Sequence, residues 1–529
     1  MKRLFALVLT LALLLCAMAV PASAEEPTTI RWLHKAWNAS TMMDNFWDAY
    51  WVRHLEEKFN VKIDFMGITP SDDYDAIVNL TIADSDNWPD IMYWNWDSYP
   101  GGVAAAIDDG LVQPLNTTEN WEELMPTFSQ LLKDNAYIRR ALTLDDGAIT
   151  GAAHVEETIA RNAYSGYGIR ADWLRNVGKE VPTTVDELYD VLTAFKEQDA
   201  NGNGDPTDEI PMTEFKEYFL FQQLSGAWGI VWNNMQIDPE TGKVNYWATV
   251  NDGENFKEFA ETMHKWYAEG LIDPEFSTQD RDSYGVKNLN DKIGFTFLYP
   301  GETTSIPAQM QDVNPNAEFV GMGLLKGKYD RAYSSNVDMA KWVAAEQLNV
   351  VTTAAGEKTE LILQMLDYMY SDEFTDIIAW GEEGVSFEYD EEGNPRYTDA
   401  MYNEDGSLNG DLINTYALGG RGQWPRYMNY AQWLVGNCPD EKCLETHLKY
   451  ADVDTALLLP PLTVPIENSS EYTGIMSEVK TAVIETFVQV VLGTKDVSEL
   501  DKLQDILNGM NIDRAIEIYQ AAYDNYESK

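Results

Sequence analysis

The sequence predicts an α/β protein built of two lobes, and three observations carry that prediction. Strand-like and helix-like segments alternate from residue 28 onward, no repeat or low-complexity linker interrupts them, and about 500 residues beyond a leader exceed what one core holds. TTIRWLH, the first piece, is short and β-rich. NFWDAYWVRHLEEKFN follows with Phe46, Tyr50, Val52, Leu55 and Phe59 at helical spacing. VKIDFMGI, DAIVNLTIADSD and DIMYWN continue as strand, helix and strand. That order means a parallel sheet with helices on its faces and a ligand beyond the carboxyl ends of the strands. Trp37 and Asn38 follow the first strand and Trp94 and Trp96 end the third, so all four are candidate ligand contacts. Trp47 and Trp51, at i and i+4 on the helix, read as core.

A second unit starts at PTTVDELYDVLTAFKEQD, where Thr184 and Glu187 have the spacing of a capping box. Beyond it, GIVWNNMQIDPETGKVNYWATV reads as a hairpin, NFKEFAETMHKWYAEGLIDPEF as a helix ended by a Gly turn, and KIGFTFLYPGE as a strand. EKTELILQMLDYMYSDEFTDIIAW and the tail from Asp496 to Tyr526 carry helical periodicity.

MKRLFALVLTLALLLCAMAVPASAEE opens with two cations, runs apolar from Leu4 to Val20 and ends in Ala22-Ser23-Ala24, the form of a cleaved secretory leader over residues 1–24. The run is short for a bilayer span and Pro21 closes it. Cys16 raises a lipid anchor, but Leu15 stands where that processing wants a small residue, so plain secretion is the reading preferred. A net charge of −50 argues against nucleic acid, whose phosphates require clustered Lys and Arg, and keeps the protein soluble. Seventeen Trp and 28 Tyr exceed core needs and suggest a surface that stacks on sugar rings.

DANGNGDPTDEIP, residues 199–211, holds hard oxygens at alternate positions. Asp199, Asn201 and Asn203 occupy positions 1, 3 and 5 of an EF-hand-like calcium loop, Gly204 supplies the turn at position 6, and Asp205 would offer its carbonyl at position 7. Ile210 stands where such a loop has its last Glu, so Asp208 and Glu209 would close the site earlier. The competing reading is an Asx-rich turn without metal. Cys438 and Cys443, in NCPDEKC, are read as a small disulfide loop rather than a zinc site, because no further Cys or nearby His pair completes four ligands.

The stretch from Tyr167 to Pro211 contains RADWLRNVG, PTTVDE and DANGNGDPTDEIP in that order. It resembles the signature of the larger family 1 extracellular solute-binding proteins of ABC importers, the branch that includes alginate-oligosaccharide binders, with Val177 where the family usually has Leu. PDI at Pro89–Ile91, WYAEGLIDPEF at Trp266–Phe276 and WGEEGVSFEY at Trp380–Tyr389 extend the resemblance over most of the chain. It implies a type II periplasmic-binding-protein-like fold with a hinge between the lobes and a structural calcium away from the sugar. It also implies a monomer that captures an oligosaccharide outside the membrane and delivers it to permease subunits, with no reaction catalysed. Lobe one is expected to take residues 25–165 with about 318–355, and lobe two 166–317 with about 356–529.

A secreted glycoside hydrolase is the rival from another class, and a peptide or lipid receptor of the same fold is a third reading. The hydrolase needs two carboxylates across the scissile bond, and 87 acidic residues make such pairs uninformative. Further candidates for ligand contact are Trp228, Trp232, Tyr299, Trp380 and Trp424, each at a strand end or in an irregular Gly- or Asn-containing segment. Glu383 and Arg421 are the polar candidates. For any single Trp, core packing competes with ligand contact.

Overall fold

The computed structural model describes residues 26–35, 49–66, 73–158, 163–215, 218–335, 343, 347–390, 393, 395–403, 408–417, 424–428, 430, 433–434, 438, 440–460, 462 and 464–528. The expected leader with Cys16, and Trp37, Asn38, Trp47 and Arg421, lie outside these residues. Among the described residues no helix is long and apolar enough to cross a membrane.

Two sheets organise two hydrophobic cores. The first has five strands in the order β2-β1-β3-β12-β4, namely β1 (Thr28–Leu33), β2 (Val61–Met66), β3 (Ile91–Asn95), β4 (Val112–Gln113) and β12 (Gln347–Thr352). β1, β2 and β3 are parallel, as helical crossovers at Tyr50–Phe59 and Tyr74–Ala83 require, whereas β12 joins antiparallel to β3 and β4. The helix Tyr50–Phe59 turns Trp51, Val52 and Leu55 inward, and all three are buried.

The second sheet runs β11-β6-β10-β7, with β6 (Gly166–Arg170), β7 (Ile210–Met212), β10 (Ile293–Leu298) and β11 (Phe319–Met322). β10 is parallel to β7 and antiparallel to β6. The carboxyl ends of β7 and β10 therefore share an edge with the start of β6. Thr184 caps the helix Val185–Glu197 by accepting from the N–H of Glu187, and the Glu187 carboxylate reaches back to the N–H of Thr183 rather than Thr184. β8 (Met235–Ile237) and β9 (Val244–Tyr246) form the expected hairpin. The periodic run after Lys358 divides into helices Thr359–Tyr368 and Asp372–Trp380, because Ser371 caps the second.

The expected lobe boundaries need correction. β11 pairs with β6 in the second sheet, so residues 319–322 leave lobe one. Ile362, Leu363, Leu366, Phe374 and Ile378 pack in the first core, so the helices between 359 and 380 join lobe one. Leu459, Val479, Phe487 and Ala515 belong to the second core. β5 (His154–Glu156) and β15 (Arg426–Met428) pair in parallel beside the first core. Arg426 Nε donates to His154 Nδ1 at 3.1 Å while His154 Nε2 lies 2.6 Å from Glu156, a fully buried polar tie. Two short strands, β13 (Phe387–Tyr389) and β14 (Pro395–Tyr397), complete the set.

Candidate functional site

Tyr299 follows the last residue of β10, and the register that sets Leu298 opposite Gly166 brings it toward Tyr164. The two half-buried rings lie 6.1 Å apart and within 8° of parallel. The Arg281 guanidinium sits 5.0 Å from the Tyr299 centroid and 3.1 Å from Glu302. Glu302 in turn accepts the Tyr299 N–H at 2.9 Å. Burial pushes the Glu302 carboxyl above its ordinary range, and the hydrogen bond from Tyr299 and the charge of Arg281 oppose that push. Two near-parallel tyrosine rings edged by an ion pair are thus gathered just past the carboxyl end of β10. The sequence names Tyr299 as a candidate and not Tyr164, Arg281 or Glu302, because the antiparallel pairing that gathers them leaves no local trace.

The predicted tryptophans fare differently. Trp94 and Trp96 are 2% and 1% exposed, with indole N–H groups donated to Asp75 and to the Leu348 carbonyl. They stand at the strand end as expected but are turned into the first core, which leaves no face for a ligand. Trp424 is also core: its ring stacks on His34 at 3.6 Å and meets Trp51 edge-on at 4.8 Å. Trp228 is buried 5.0 Å from Phe259, and the partly buried Trp232 packs on Trp247 and Phe487. Trp380 lies in a separate small cluster with Phe387, Tyr397 and Met401, and Glu383 is exposed beside it. The structure therefore brings none of these to Tyr299 as a shared aromatic surface.

The loop at residues 199–209 closes on itself. Asp199 Oδ2 accepts the N–H of Gly204 at 2.9 Å, Asn201 Oδ1 that of Asn203, and Asn203 Oδ1 that of Asp205. Both Asn side chains donate to Asp208, and Glu209 Oε1 accepts the N–H of Ala200 at 2.9 Å. Asp205 is engaged by Thr207, which lowers its carboxyl below the ordinary range. Gly204 at φ +94 makes the turn that a side chain would resist. Two oxygens in this ring, Asp199 Oδ1 and Glu209 Oε2, are buried with no hydrogen-bond partner among the described residues, and burial raises Glu209. Orphaned carboxylate oxygens facing a loop of amide and backbone oxygens fit a hard cation. Among the described residues no three His, Cys, Asp or Glu side chains cluster as a metal site, since here the oxygens are split between carboxylate and amide.

Cys438 and Cys443 stand as two thiols hydrogen-bonded to each other rather than as the expected disulfide. That bond pushes Cys443 up and draws Cys438 down. Hydrogen-bonded thiols are the reduced form of the same pair, so the difference is one of oxidation and not of placement.

No protein-family model matches the chain. The fructooligosaccharide ABC transporter substrate-binding protein FusA of Streptococcus pneumoniae is 28% identical over 325 residues, covering 56% of this chain and 57% of FusA. The chain thus spans about half the length of the curated relatives it matches. FusA is by its name a substrate-binding protein. A solved structure of a FusA EF-hand mutant with fructo-nystose has a TM-score of 0.71 at 20% identity, covering 95% of this chain and 100% of that one. An HMO-binding ABC-transporter-associated solute-binding protein from Bifidobacterium longum infantis has a TM-score of 0.74 at 20% identity, covering 94% and 99%. The chain has the two-lobed α/β fold of the substrate-binding proteins that serve ABC transporters.

Proposed function

We propose that the protein captures an oligosaccharide between its lobes and passes it to the permease subunits of an ABC importer, without reacting with it. The observation that carries this reading is the Tyr164–Tyr299 platform edged by Arg281 and Glu302. Ring faces match the apolar C–H faces of sugars, and a flanking ion pair matches their hydroxyls. FusA, over half of the chain, and the sugar-bound neighbours over nearly all of it, support the same reading. Ligand held from both sides would favour a closed arrangement of the lobes. Tyr299, Arg281 and Glu302 belong to lobe two, and Tyr164 reaches them from the segment that leads into β6.

A calcium ion in the loop at 199–209 fits this reading as a structural element. Asp199, Asn201, Asn203, the Asp205 carbonyl, Asp208 and Glu209 would hold it, and the ion would neutralise carboxylates now crowded in one turn. The EF-hand named for the FusA structure supports it. Secretion after loss of the leader, and function as a monomer, complete the proposal.

Titration calorimetry of the full chain against a glycan panel tests it. One or more oligosaccharides should bind reversibly and be recovered intact, and Tyr299→Ala should weaken that binding about tenfold, or ~1.4 kcal/mol. Absence of any glycan binding would reject the reading. Release of shortened sugars that a single carboxylate substitution abolishes would replace it with hydrolysis.

A further inference from the structure

Gln223 lies on the helix Phe219–Ser225 among Leu220, Phe221 and Leu224, is 1% exposed, and has neither its Oε1 nor its Nε2 hydrogen-bonded among the described residues. A buried amide atom left without a partner costs roughly 1–3 kcal/mol, so two on one side chain are expensive in a helix where an apolar residue would pack. The helix is firmly placed. Its start is held by Glu214, whose carboxylate accepts the N–H groups of Phe215 at 2.8 Å and Phe221 at 3.0 Å and also that of Leu220. Its end is held by Ser225, which donates to Ser335 Oγ at 3.1 Å.

That placement sets Gln223 on the helix that follows β7 of the second sheet. The helix follows the carboxyl end of β7, and Phe219, one turn before Gln223 on the same face, stacks on Phe297 at 5.1 Å. Phe297 then meets Tyr299 at 5.1 Å, so this face continues into the tyrosine platform. At the other end, Gly226 is so close to the segment Tyr333–Ser335 that a Cβ would fall 2.0 Å from the Tyr333 carbonyl oxygen. That segment leads from β11 of the second sheet toward β12 of the first. Ser334, within it, is fully buried and its Oγ also has no partner.

We propose that Gln223 is a specificity-determining contact for the bound sugar, taking two neighbouring ring hydroxyls, one donating to Oε1 and one accepting from Nε2. A primary amide offers one acceptor and two donors in a plane, the complement of a vicinal diol. The assignment rests on the oligosaccharide reading, and it gives that reading a buried polar group on lobe two, without a partner among the described residues, for ligand to satisfy. A site built to hydrogen-bond hydroxyls rejects an analogue lacking them far more strongly than an apolar pocket does.

The test uses the full chain with the best-bound glycan of the panel and its deoxy analogues, with thermal unfolding measured on the same samples. Gln223→Met keeps length and volume, so it should melt at or above the wild-type temperature yet bind at least tenfold more weakly. Deoxygenation at one ring position should weaken wild-type binding strongly and Gln223→Met binding hardly at all, a coupling that a purely structural amide or a trapped water would not produce. Should Gln223→Met fail to fold, Gln223→Glu, which keeps an acceptor and loses the donors, gives the same comparison. Wild-type affinity in a folded Gln223 variant, or equal losses on deoxygenation, would overturn the assignment while leaving the oligosaccharide reading intact. A wild-type protein that binds no glycan would overturn both.

Discussion

Asp367 accepts the N–H of Phe128 at 2.7 Å, yet burial holds its carboxyl above the ordinary 3.8. The folded state therefore binds this proton more tightly than the unfolded chain does. Its contribution to stability turns unfavourable as pH rises from about 4 through the raised value, and stays so above it. Asp367→Asn keeps an acceptor for Phe128 and removes the charge. Its unfolding temperature should exceed that of wild type at pH 7, with the gap closing near pH 4; an equal gap at both pH values would refute the charge argument. Asp199 makes the opposite case, because its value to the fold depends on what its orphaned oxygen meets. Exhaustive chelation should lower the unfolding temperature, by the equivalent of about 2.7 kcal/mol if calcium stands at a hundred times its Kd. Asp199→Ala should show the lower value with or without chelator, and a melting curve indifferent to chelation would reject the ion. At this scale the sequence spoke clearly where chemistry is local, as in the spacing of Asp199, Asn201 and Asn203. It misled where orientation decides, as with Trp94 and Trp96, since a position at a strand end does not say which side of the sheet the ring takes.

Elements were readable wherever their signals were consecutive in the chain. Thr184 with Glu187, the β8–β9 turn and the alternation from β1 to β3 each have local causes. Pairing between distant strands has none, which is why β11 was expected in lobe one and why Tyr164 went unnoticed beside Tyr299. Gly226 tests such a non-local contact. Gly226→Ala forces a carbon against the Tyr333 carbonyl, so stability should fall by about 1–3 kcal/mol as the segment 333–335 shifts; an unchanged unfolding temperature would show that the segment yields freely. The thiols of Cys438 and Cys443 make a second test. Oxidation should join them within one chain, seen by mass spectrometry as a loss of two hydrogens that Cys443→Ser prevents, and only dimers linked through Cys438 would contradict that pairing.

On the scale of the molecule, the last helix, Ile512–Ser528, spans both cores. Ile512 and Ala515 pack in the second, with Ile516 and Tyr519 against it, while Tyr526 lies 5.2 Å from the Arg140 guanidinium and 6.5 Å from the Tyr137 ring beside the first. Asn525 donates to Asp145 at 3.1 Å. Cutting these ties with Asn525→Ala and Tyr526→Ala together should let the lobes separate further and enlarge the radius of gyration in solution scattering. A change of about 1 kcal/mol between arrangements would alter apparent ligand affinity roughly fivefold. Identical scattering curves would deny the helix any such role.

β12 carries a further consequence, one of timing. It lies between β3 and β4 in the finished first sheet, yet its residues are synthesised after all four strands of the second. The first sheet stays open at its middle until the ribosome has passed residue 352, by which point most of the other core has been made and waits for residues from 459 onward. Neither core can be completed early, so each lobe leaves part of its apolar surface uncovered until late in synthesis.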